Sequence, residues 1–120
     1  MTKAMFRTHF TGIYQQAETA GNRAMEACKP TPMVVSGMGK TYYVEDGVCG
    51  FAEVVIKPAT TAFARFLKRE SLAGHHYGGG ISIWINAGGQ SYDRKTAYAK
   101  AMAGVFQQHG IECYSTSRLD

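Results

Sequence analysis

The segment 41–57, TYYVEDGVCGFAEVVIK, constrains this chain most. Asp46-Gly47 is a strong hairpin signal, because a type I′ turn needs positive φ at both central residues, which Asp tolerates and Gly adopts freely. On either side lie Tyr42-Tyr43-Val44 and the run from Val48 to Ile56, rich in the β-branched and aromatic residues that suit a pleated surface. The expectation is an antiparallel hairpin at the centre of a mixed sheet, with helices covering it.

The rest of the chain is punctuated by Pro and Gly. Residues 4–28 read as a helix, with Phe6, Phe10, Ile13, Tyr14, Ala17, Ala24 and Cys28 on one stripe. Gly12 and Gly21 each weaken it by about 1 kcal/mol relative to Ala, and Pro30 and Pro32 end it. Met33-Val34-Val35 make a short strand that should pair with 41–45, giving a three-strand meander. After Pro58, Thr60 or Thr61 caps a helix whose buried side carries Phe63, Phe66, Leu67 and Leu72, and Gly74 terminates it. His75–Gly80, HHYGGG, reads as a loop, and 81–85 as a strand alternating with period two. Ser91 caps a helix to about His109, with Tyr98, Met102, Val105 and Phe106 buried, Asp93 near its positive end, and Gly110 at its close. A last strand covers 111–116. The expected fold is a single α+β domain spanning 1–120, of order α-β-β-β-α-β-α-β, with about five strands in a mixed sheet.

Period-two alternation assigns faces. Ile81, Ile83 and Ile85 turn toward the helices at 60–72 and 91–109, and Ser82 and Trp84 turn away. Glu53 would be costly in a dry core unless paired, so Val54 faces inward and Phe51, Trp84 and Tyr114 share the second face. Three readings compete for those rings: the helix at 4–28 covers them, a partner or a second copy docks on them, or bases stack on them as on RNA-binding sheets. The last reading wants cations beside the rings, and Lys57 and Arg118 are the candidates.

Composition bounds the chemistry. With 120 residues, 45% hydrophobic and 18% charged, the chain is an ordinary globule. Its net charge of +4 is spread over scattered Lys and Arg and not gathered in a stripe. No apolar run is long enough to span a membrane, and MTKAMFRTHF has no secretory signal pattern, so a cytoplasmic setting is expected. The three cysteines are widely spaced without a CxxC pair, as expected of reduced thiols.

No catalytic motif emerges. His75-His76 diverge as neighbours in a loop and lack the further ligands that zinc needs, so no metal or other cofactor is implied. Gly78-Gly79-Gly80 precede a strand, whereas phosphate-cradling loops follow one. Cys49 reads as a small, at most half-exposed strand residue with no base assigned to activate it.

Pro30-Thr31-Pro32-Met33, VEDGVCGFA at 44–52, IKPA at 56–59 with Phe63-Ala64 and Leu67-Lys68, and the ending Ser117-Arg118-Leu119-Asp120 give the chain a further character. Over these residues it resembles a set of small uncharacterised proteins encoded by tailed bacteriophages. The resemblance implies a phage gene product acting in the cytoplasm of a bacterial host, in the manner of accessory factors that bind host or phage macromolecules. The reading is therefore a non-enzymatic accessory protein that binds a protein partner, a host factor or itself as a homodimer, through Phe51, Trp84 and Tyr114 or through His75, His76 and Tyr77. Three alternatives stand beside it: a single-stranded nucleic-acid binder using the same rings, a small enzyme using Cys49 or His75/His76, and a structural component of the virion.

Overall fold

The structure is a computed structural model that describes residues 2–37, 39–44 and 47–120. Helix α1 (Lys3–Ala27) begins at Thr2, whose hydroxyl accepts the Met5 N–H, and runs unbroken through Gly12 and Gly21. Strands β1 (Met33–Gly37) and β2 (Lys40–Val44) pair antiparallel. Then come β3 (Gly50–Ile56), α2 (Ala62–Arg69), β4 (Gly74–His75), β5 (Ile81–Trp84), α3 (Tyr92–Gln108) and β6 (Cys113–Leu119). No helix among the described residues is long and apolar enough to cross a membrane.

The α+β class holds, but the hairpin at 41–57 does not form. Strand β2 pairs with β1 in a separate ribbon, whereas β3 pairs with β5 on one side and β6 on the other. With both edges of β3 occupied, no room is left for β2. Gly47 has the positive φ expected of it, +73°, and a β-carbon there would collide with the Thr31 carbonyl oxygen. Asp46, its partner in the expected turn, lies outside the described residues. Past this point the chain is tied to the start of α3: Tyr92 N–H donates to the Val48 carbonyl and Gly50 N–H to the Gln90 carbonyl.

The main sheet is therefore four-stranded, in the order β4-β5-β3-β6, with every neighbouring pair antiparallel. It is not a mixed sheet of five strands. The stretch β3-α2-β4-β5-α3-β6 is a β-α-β-β-α-β unit in which β3 lies between β5 and β6, the split βαβ arrangement of ferredoxin-like domains. The extra strand is β4. It turns HHYGGG from a free loop into a hairpin connection, with His76 N–H donating to the Gly80 carbonyl and Gly79 and Gly80 at positive φ.

One face of this sheet is the core. Ala52, Val54 and Ile56 of β3 and Ile81, Ile83 and Ile85 pack against Phe63, Phe66 and Leu67 of α2 and Met102, Ala103 and Phe106 of α3, all of them buried. Phe63 stacks edge-on to Phe106 with centroids 5.2 Å apart. Caps set the helix starts: Thr61 accepts from Ala64 N–H and Ser91 from Arg94 N–H. Helix α2 ends earlier than Gly74. Ser71 takes the left-handed conformation at φ 59°, and Leu72 N–H reaches back to the Leu67 carbonyl at 2.8 Å.

Helix α1 does not cross to the other face. It lies on α3, and more lightly on α2, with Ile13 and Ala17 in the same core and Phe10 against Phe63 and Phe66. At Gly21 the two helices come so close that a β-carbon would stand 2.8 Å from the Tyr98 ring. All three helices thus stack on one side, and the second face of the sheet is left uncovered by any of them.

Candidate functional site

The uncovered face is a grid fixed by strand register. Phe51 lies opposite Arg118, Glu53 between Thr116 and Trp84, and Val55 between Tyr114 and Ser82. Because β3 and β5 are adjacent, the rings of Phe51 and Trp84 meet on the diagonal, with centroids 5.5 Å apart and planes inclined by 38°. Trp84 is 44% exposed and Tyr114 43%. These are large rings held open to solvent by the sheet, since the opposite side of the central strands β3 and β5 is packed against the helices.

Cations attend the rings. Arg118 lies over Phe51 with its guanidinium carbon 5.6 Å from the centroid, and Lys95 lies over the same ring at 5.5 Å. Lys57 sits 5.9 Å from the centre of Tyr114 and also donates to the Gly78 carbonyl. Lys95 is only 8% exposed, on the first turns of α3. Sequence reasoning found Lys57 and Arg118 but missed Lys95, because its place in the helix gives no hint that the strand ring is within reach. The bridge between Cys49 and Ser91, with Gly50 N–H donating to Gln90 and Tyr92 N–H to Val48, holds the helix start at that end of the sheet.

The face is closed at one side by the β4–β5 turn. His76 Nε2 is 3.2 Å from a Glu53 carboxylate oxygen, and both side chains are about four-fifths shielded from solvent. The other ring nitrogen, Nδ1, receives the Gly78 N–H at 3.2 Å, which leaves the proton of a neutral imidazole on Nε2, aimed at Glu53. The Gly79 carbonyl lies 3.1 Å from the same Nδ1. Glu53 thus faces away from the core, as its cost of burial there requires, and is paired where the turn shields it. At the tip of the turn Tyr77 is fully exposed.

Phe51, Trp84 and Tyr114 from the sheet and His75, His76 and Tyr77 from the turn line one groove of about 530 Å³. The two surfaces that the sequence offered as alternatives are one surface. Its size lies within the range of small-ligand pockets, about 300–1,000 Å³.

Other candidates fall outside it. Cys49 is exposed, not shielded as expected; its Sγ is 3.6 Å from the Gln90 amide oxygen, an acceptor that cannot take up a proton as a base would. Burial pushes the Cys113 thiol up to about 11, which keeps it neutral and inert. Among the described residues no three His, Cys, Asp or Glu side chains gather as metal ligands.

No protein-family model, curated protein or solved structure matches this chain.

Proposed function

We propose that the chain binds single-stranded nucleic acid on the open face of its four-stranded sheet. The observation that carries this reading is the pairing of rings with cations: Phe51 and Trp84 side by side on central strands, with Arg118 over Phe51 and Lys57 over Tyr114. Flat π-faces beside positive charge suit a ligand whose repeating unit is a flat base and a phosphate. Aromatic residues on the two central strands of a four-stranded sheet are how RNA-recognition modules stack two or three bases. Net charge +4 adds a weak attraction of the same sign. The reading keeps the non-enzymatic class and gives the accessory role a ligand. The bacterial cytoplasm implied by the phage resemblance would be its setting.

The test is titration of short fluorescent single strands, followed by anisotropy and by emission of the single tryptophan, Trp84. Binding should weaken steeply as salt rises from about 50 to 200 mM, because neutralised phosphates release counterions. Phe51→Ala and Trp84→Ala should each weaken it by about 1–3 kcal/mol, the worth of one stacked base. No binding to any strand at low salt overturns the proposal. If light scattering instead finds self-association that Trp84→Ala abolishes, the face is a protein interface and the proposal falls.

A further inference from the structure

We infer that the face, read as a nucleic-acid platform, prefers guanine, and that the Glu53 carboxylate makes the choice. The inference rests on the function proposed above and adds a base identity to it. Glu53 sits at the centre of the grid, two residues along β3 from Phe51 and directly across from Trp84. A base stacked on the exposed Trp84 ring would lie beside this carboxylate, because the two residues are register partners across β3 and β5. An ionised carboxylate is acceptor-only, with two oxygens side by side. It therefore favours a base edge with two adjacent donors and opposes one that places an acceptor there.

Only guanine meets that demand on its Watson–Crick edge, where N1–H and the N2 amino group stand next to each other. Adenine and cytosine each put a ring-nitrogen acceptor beside their amino group. Uracil and thymine flank a single N–H with two carbonyls. Arg118 and Lys57 lie over Phe51 and Tyr114, to either side of the acidic group.

His76 acts here as a positioning residue. It holds one Glu53 oxygen at 3.2 Å, and because each carboxylate oxygen accepts two hydrogen bonds, the oxygen can stay tied to the turn while it receives a base N–H. The turn that carries His76 is itself fixed by Lys57, donating to the Gly78 carbonyl at 3.0 Å, and by the Gly79 N–H on the His76 carbonyl. The carboxylate is thereby oriented before any ligand arrives.

The experiment compares oligothymidylates of about eight nucleotides that carry guanine, inosine, adenine or cytosine at one central position. The full chain is used, with Trp84 emission as readout. The guanine strand should bind at least about tenfold tighter than the adenine and cytosine strands, as expected for a bidentate pair. Inosine, which lacks the N2 amino group, should lose most of that advantage without any change to the protein. In Glu53→Gln, whose amide offers one acceptor and one donor, the ratio of guanine to adenine affinity should fall to about twofold or less. Circular dichroism melting establishes that the variant is folded. Equal affinity for all four strands overturns the guanine preference and leaves nucleic-acid binding standing. A preference that survives both inosine and Glu53→Gln overturns the role of the carboxylate. Failure of every strand to bind removes the platform and the preference together.

Discussion

The imidazole Nε2 of His76 and the carboxylate of Glu53, 3.2 Å apart, tie the β4–β5 turn to the centre of the open sheet face. The adjacent His75 makes no such tie, since it lies exposed at the sheet edge in β4. His76→Ala leaves a largely shielded carboxylate without its donor and should cost about 1–2 kcal/mol. His75→Ala should stay within about 0.5 kcal/mol of the parent. Urea unfolding of the two variants side by side checks this, and equal losses would show that the pair contributes nothing.

The two interior glycines of α1 should respond to Ala in opposite directions. Nothing lies within 4 Å of a β-carbon built at Gly12, so Gly12→Ala gains helix propensity, about 1 kcal/mol of stability. At Gly21 the same β-carbon meets the Tyr98 ring at 2.8 Å. That ring is buried between the helices, so overpacking of about 1–3 kcal/mol offsets or exceeds the propensity gain. Thermal melts of both variants decide the matter. A stabilised Gly21→Ala would mean that α1 slides freely on α3.

Helices α2 and α3 end with the same hydrogen-bond pattern but different residues in the left-handed position. After α3 it is Gly110 at φ 76°, and Ile111 N–H reaches the Phe106 carbonyl; after α2 it is Ser71 at φ 59°. A side chain in that conformation costs about 1–2 kcal/mol, part of which Gly forfeits by its greater freedom when unfolded. Ser71→Gly should raise stability by about 0.5–1 kcal/mol, and Gly110→Ala should lower it by a similar amount. Denaturant midpoints at unchanged m-value are the measurement.

What the sequence disclosed, and what it hid, follows the range over which each signal acts. Caps and periodicity are local, so Thr61, Ser91 and the alternation of Ile81, Ser82, Ile83 and Trp84 were readable and hold. The split of Phe51, Trp84 and Tyr114 from the isoleucine face followed from the same alternation together with the cost of burying Glu53. Strand pairing is not local. The Asp46-Gly47 signal suggested β2 as the neighbour of β3, yet β3 lies between β5 and β6, strands far along the chain, and not beside the nearest one. The side on which α1 packs depended on Tyr98 accepting Gly21, a contact across the fold. Lys95 was hidden for the same reason: a helix position says nothing of which strand ring it will reach.

Alkaline pH should weaken the fold in two stages. Burial holds the Cys113 thiol up at about 11 against an ordinary 9.0, and burial, then Glu18, then Tyr98 push the Tyr14 hydroxyl up to about 12 from 10.0. Tyr98 is shifted in the same direction by burial and Glu18. In each case the folded chain keeps a proton that the unfolded chain releases, so stability falls wherever the unfolded state binds fewer protons. The contribution of Cys113 is complete below pH 9 and is lost as pH climbs toward 11. That of Tyr14 is complete below pH 10 and is lost toward 12. Urea midpoints taken from pH 8 upward should begin to drop near pH 9 and drop more steeply beyond 10. Tyr14→Phe, with no hydroxyl to ionise there, should make the second stage shallower, down to the share of Tyr98, and leave the first. Retention of the full slope above pH 10 in that variant would assign the alkaline loss to groups other than the tyrosine between α1 and α3.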